Sequence, residues 1–71
     1  MRHNLIRQTA TTLGIGTNRL LLRIAESHPA RFTDTQSIAR NWHNRLHRGE
    51  RIPFVITYCN HILEAYNVRQ A

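Results

Sequence analysis

Two amphipathic runs near the start of the chain are separated by Gly14-Ile15-Gly16, and that break limits the possible folds more than any other feature. Before it, Leu5, Ile6, Ala10 and Leu13 recur at helical spacing; after it, Leu20 and Ile24, with Leu21 beside them, do so again. Glycine reaches the left-handed backbone that closes a helix at little steric cost, so the first helix is expected over residues 4–13, ending at Gly14. The second is expected to start on Gly16 or Thr17 as its cap and to run to about Ser27, where His28-Pro29 stops it. The break gives up a turn of continuous helix and sets the second helix across the first.

Two more helical segments follow. Thr33-Asp34-Thr35-Gln36 has capping-box spacing from Thr33 to Gln36, and Ile38, Trp42 and Leu46 then recur every four residues until Gly49. The opposite face of this segment carries Arg40, Asn41, His43, Asn44, Arg45, His47 and Arg48. Ile52-Pro53 opens the last segment, with Pro at the first helical position and Val55, Cys59, Ile62, Leu63 and Tyr66 on one side. Phe54-Val55-Ile56-Thr57-Tyr58 also has strand propensity, which makes a short strand the competing expectation there. The fold expected is all-α, a compact four- to five-helix domain, with residues 1–71 forming a single unit.

The break resembles a known motif. Ala10, Leu13-Gly14-Ile15 and Leu20, with Ile24 four further on, resemble the helix-turn-helix of Fis-type bacterial regulators. A small residue at Ala10 lets two helices approach, Gly14 makes the turn, and Ile15 and Leu20 plug the angle between them. The resemblance implies a DNA-binding domain whose recognition helix, about residues 17–26, enters the major groove. A weaker resemblance lies at the other end: "RGERIP" (Arg48 to Pro53) followed by "ILEAYNV" (Ile62 to Val68) is similar to the close of Cro/repressor-type domains, where an Arg-rich loop meets the phosphate backbone. The Trp of that pattern is Leu46 here, and Trp42 stands one turn earlier.

Charge points the same way. Ten arginines and no lysine against four acids give a net charge of +6, which draws polyanions, although arginine bias in a GC-rich genome would produce the same balance. Arginine offers a planar fork that grips a phosphate or a guanine edge with two hydrogen bonds. Thr17, Asn18, Arg19 and Leu22 are the expected base-reading residues, Leu22 through thymine methyls. Arg7, Arg23, Arg40, Arg45, Arg48 and Arg51 are the expected phosphate contacts. Double-stranded DNA and a second copy of the chain are the expected partners, since one recognition helix reads few base pairs and the last helix offers an aromatic-aliphatic face.

Other chemistry is poorly represented. The four acids, Glu26, Asp34, Glu50 and Glu64, are dispersed, so neither acid-base catalysis nor a metal-dependent nuclease is expected. His43 and His47 have zinc-ligand spacing, but the residue after His43 is Asn44 rather than Glu, and a third ligand would have to be Cys59 or His61. No metal, cofactor or enzymatic activity is expected. Cys59 alone implies no disulfide framework, and no run approaches the ~20 apolar residues of a membrane span, so the expected setting is the cytoplasm of a bacterial host, associated with the nucleoid when bound. Together these features suggest a small sequence-specific transcriptional regulator of phage or plasmid type. A phage-encoded module that binds a host protein through its arginines, and an RNA-binding module, are the alternatives.

Overall fold

The structure, a computed structural model, describes residues 4–70 and consists there of four helices: α1 (Asn4–Leu13), α2 (Thr17–Glu26), α3 (Thr35–His47) and α4 (Pro53–Gln70). The first break falls where the glycines place it. Gly14 is left-handed at φ +72°. Its N–H donates to the Thr11 carbonyl at 3.1 Å, while the Ile15 N–H donates to the Ala10 carbonyl at 3.0 Å. These two bonds satisfy carbonyls that the end of α1 would otherwise leave open. A Cβ on Gly14 would meet nothing within 4 Å, so the need for glycine is conformational rather than steric. The same device closes α3: Gly49 sits at φ +91°, and the Gly49 and Glu50 N–H groups donate to the Leu46 and Arg45 carbonyls at 2.9 and 3.0 Å.

The helix starts differ from one another. Gly16 caps α2 in extended backbone, φ −77° and ψ 159°, with no side-chain hydrogen bond. At α3 the expected Thr33–Gln36 capping box is replaced by Asp34, whose carboxylate accepts the Ser37 N–H at 3.1 Å and the Ser37 hydroxyl at 2.8 Å. Three residues separate an N-cap from the amide it accepts best, and Asp34 provides the stronger, charged acceptor for that geometry. The Ser37 hydroxyl and then its amide hold the Asp34 carboxyl below the usual range. Residues 54–58 lie in α4 rather than in a strand, and no strand occurs among the described residues. Pro53 starts that helix with its φ already set and without an N–H to satisfy.

α2 is the centre of the fold, packing against α1, α3 and α4. Leu20, Leu21, Ile24 and Ala25 are each 0–1% exposed, and together they seal the core. The tip of the break packs on them through half-buried Ile15. α1 contributes Ile6, Ala10 and Thr9, the last a buried polar residue satisfied by donating its hydroxyl to the Leu5 carbonyl at 2.8 Å. Leu5 and Leu13, expected inside, are half-buried. α3 lies along α2 and buries Ala39, Trp42 and Leu46, while Ile38 is left half-buried.

The α2–α3 loop is held by rings. His28 lies 4.7 Å from Phe32 and 4.5 Å from Phe54, with Trp42 at 6.2 Å, and its Nδ1 accepts the Ala30 N–H at 3.0 Å. Arg31, at φ +53°, is the one left-handed non-glycine residue described, and it lets the chain turn between α2 and α3. α4 packs mainly on α1, where Val55 and Cys59 are buried. Burial pushes the Cys59 thiol up, with the Thr9 hydroxyl opposing, and the side chain is closed off from solvent. Tyr66, expected in the core, is 37% exposed. It lies about 10 Å, or two turns, along the helix axis beyond Cys59, the last buried residue of α4 among those described.

Candidate nucleic-acid interface

The amphipathic pattern of α2 turns four residues inward and leaves Asn18, Arg19, Leu22, Arg23 and Glu26 facing out in two adjacent rows. α3 runs beside that stripe and presents Gln36, Ala39, Arg40 and His43 to it. Between them lies an open groove of about 740 Å³, floored by Ile15, Leu22 and Ala39. Arg19, Arg23 and Arg40 stand around it with the amides of Asn18 and Gln36, and Glu26 is its one acid. The groove is therefore positive at its rim and apolar at its base.

Five of the residues singled out in the sequence come together here: Asn18, Arg19, Leu22, Arg23 and Arg40. Leu22 is half-buried and packs against the core, so it offers only part of its side chain outward. Thr17 and Arg7 lie around a second, smaller depression of about 140 Å³, with Ile6, Leu21, Leu46, His47 and His43. His43 lines both depressions and joins them. Its ring is stacked with that of His47 at 6.4 Å between centroids and 9° between planes. No group of three His, Cys, Asp or Glu side chains able to hold a metal ion occurs among the described residues.

Arg45 and Arg48 are placed apart from the groove, at the C-terminal end of α3. Glu50 binds both: Arg45 Nε donates to Oε1 at 2.9 Å, and Arg48 Nε and a terminal nitrogen donate to Oε2 at 3.3 and 3.0 Å. These bonds, with Arg45 first, hold the Glu50 carboxyl below its usual range. The C-terminal Gly49 turn produces this arrangement, because it folds Glu50 back over the last turn of α3. Arg51 follows it, exposed, in the short segment before α4.

Sequence reasoning missed Gln36, Ala39 and Glu26 as groove residues. In the sequence Gln36 has a role only in a cap, and Glu26 stands only as one of four dispersed acids. The pattern of each helix shows which residues face outward, but the pairing of α2 with α3 shows which outward faces meet. Among the described residues no helix is long and apolar enough to cross a membrane. Compared with protein-family models, curated proteins and solved structures, the chain matches none.

Proposed function

We propose that this protein is a small duplex-DNA-binding transcriptional regulator that meets DNA with the face formed by α2 and α3. The observation that carries this reading is the convergence of Arg19, Arg23 and Arg40 from two helices, with the amides of Asn18 and Gln36, around one open groove whose single acid is Glu26. Guanidinium groups supply bidentate phosphate contacts, and amides supply the paired donor and acceptor that adenine edges match. The net charge of +6 adds a long-range attraction that salt screens.

The test is a mobility-shift titration on random duplex and on single-stranded RNA at two salt concentrations. Neutralising two or three phosphates through the groove arginines implies a log-log salt slope of roughly −2 to −3 on duplex DNA, steeper if Arg7 and Arg51 also engage. A flat salt dependence, or tighter binding to RNA, counts against the reading. One observation favours a second reading: the apolar floor of Ile15, Leu22 and Ala39 under an arginine rim suits an acidic amphipathic helix of a partner protein.

A second copy of the chain is proposed to cover α4. Ile56 and Leu63, two turns apart, are half-buried, Tyr66 is exposed, and no arginine occurs between Arg51 and Arg69. Two protomers of charge +6 meet with least repulsion on that arginine-free stretch of α4. Light scattering should give twice the chain mass at micromolar concentration, and Leu63→Arg should return the monomer mass with the helical spectrum intact.

A further inference from the structure

We infer that α3, rather than α2, carries the side chains that read base edges, and that the arginines of α2 hold the phosphate strand beside it. This rests on the reading that the α2–α3 face binds duplex DNA, and it reverses the roles that the sequence resemblance implied.

The first ground is access. A helix with its side chains is about 10–12 Å across and the major groove is about 12 Å wide, so the inserted helix must stand clear of its neighbours over much of its circumference. α2 is the most enclosed helix: it packs against all three others, and its outward stripe forms a wall of a concave groove. α3 packs chiefly along α2, touching α4 through the Trp42–Phe54 ring contact at 6.3 Å. Its Gln36 and Arg40 form the other wall of that groove, while Asn41 and Asn44, also exposed, lie outside the groove lining.

Chemistry is the second ground. Gln36, Arg40 and Asn44 recur every four residues and so line up along one exposed row, with Asn41 beside it. Asn and Gln pair with adenine and Arg with guanine, each through two hydrogen bonds. The row spans about 12 Å of helix, or three to four base pairs of rise. α3 contains no acid between Thr35 and His47. The outward stripe of α2, by contrast, holds half-buried Leu22 and the carboxylate of Glu26 among its cations.

The ends of α3 show how it would lie. Asp34 already accepts the Ser37 amide and hydroxyl at the start of α3 and adds a negative charge there, so the helix would not point its tip at a phosphate. It enters by its middle turns. One phosphate strand then passes along the α2 wall of the groove, against Arg19 and Arg23.

The experiment selects preferred sites from a random duplex pool with the wild-type chain, then measures binding of single variants to the selected site and to a scrambled duplex. All substituted side chains are exposed, so the variants fold. Arg40→Ala and Asn44→Ala should lower the ratio of the two affinities by about 5- to 150-fold, the discrimination carried by a bidentate base contact. Arg19→Ala and Arg23→Ala should weaken both duplexes alike and reduce the salt slope by about one. Loss of the ratio in Arg19→Ala with retention in Arg40→Ala and Asn44→Ala returns base reading to α2 and overturns the inference. A wild-type chain that binds no duplex at low salt overturns the DNA reading itself.

Discussion

α2 and α3 are both amphipathic, both basic on their outer faces and adjacent in the chain, yet they occupy opposite positions in the molecule. α2 packs against every other helix and buries four residues almost completely. α3 packs on α2 and buries Ala39, Trp42 and Leu46, each 6–8% exposed, leaving most of its polar surface outside. The contrast shows that a glycine break between two amphipathic helices sets one across the other without specifying which helix projects. A third helix laid on the second can turn the expected recognition element into the spine of the domain.

The most severe way to break this comparison is through the core. Trp42→Ala should cost about 3–5 kcal/mol and Leu20→Ala about 2–5 kcal/mol, enough to unfold most of a chain this small. Asn44→Ala, on the outward row of α3, should stay within about 0.5 kcal/mol of wild type. Thermal melts followed by far-ultraviolet circular dichroism measure all three. A wild-type melting temperature for Leu20→Ala would mean that α2 is not the spine.

The junction that sets α2 in place comes next. Gly14→Ala should destabilise by about 1–2 kcal/mol, the cost of a Cβ in left-handed backbone, and Gly14→Asn by less. Denaturant midpoints report both. Equal stability for Gly14→Ala would indicate that the turn relaxes to another conformation and that its angle is not enforced.

Much of this was legible in the sequence because punctuation residues act locally. Gly14, Gly49 and Pro53 mark helix ends by their own backbone preferences, and the boundaries at residues 13, 47 and 53 lie beside them. The buried row of α2 follows from periodicity alone. What was not legible depends on neighbours. Ile38 and Tyr66 fit their helical stripes, but α3 buries Ala39 rather than Ile38 in its packing with α2, and Tyr66 stands two turns past the last described buried residue of α4. The same limit applies at the candidate site: Arg45 and Arg48 look like free phosphate ligands until the Gly49 turn brings Glu50 onto them.

That pairing sharpens the comparison at the far end of α3. Glu50→Gln removes the carboxylate shared by Arg45 and Arg48, and it should tighten duplex binding and steepen the salt slope by about one unit. Stability should hardly change at neutral pH, since both ion pairs are exposed. The acid side behaves differently. Folding depresses the carboxyls of Asp34 and Glu50, so their stabilisation is present above their ordinary values and is lost as pH falls through the lowered ones. Melting temperature should therefore drop on acidification below about pH 4, and less so in the Asp34→Asn, Glu50→Gln double variant.

The smallest effect is expected at the start of α2. Gly16 caps the helix without a side chain, in open space. Gly16→Ser should add a few tenths of a kcal/mol, readable as a small rise in the denaturant midpoint, by giving the first turn a hydroxyl acceptor. A loss of stability would show that the backbone there needs glycine.

The central claim is that the α2–α3 face is where this protein meets duplex DNA. Titrating the isotope-labelled chain with a short duplex and following amide resonances tests it most directly. The shifts should gather on Arg19, Arg23, Arg40 and Asn44, with those of Ile56 and Leu63 on α4 little changed. Shifts gathered on α4, or none at any residue at low salt, would contradict it.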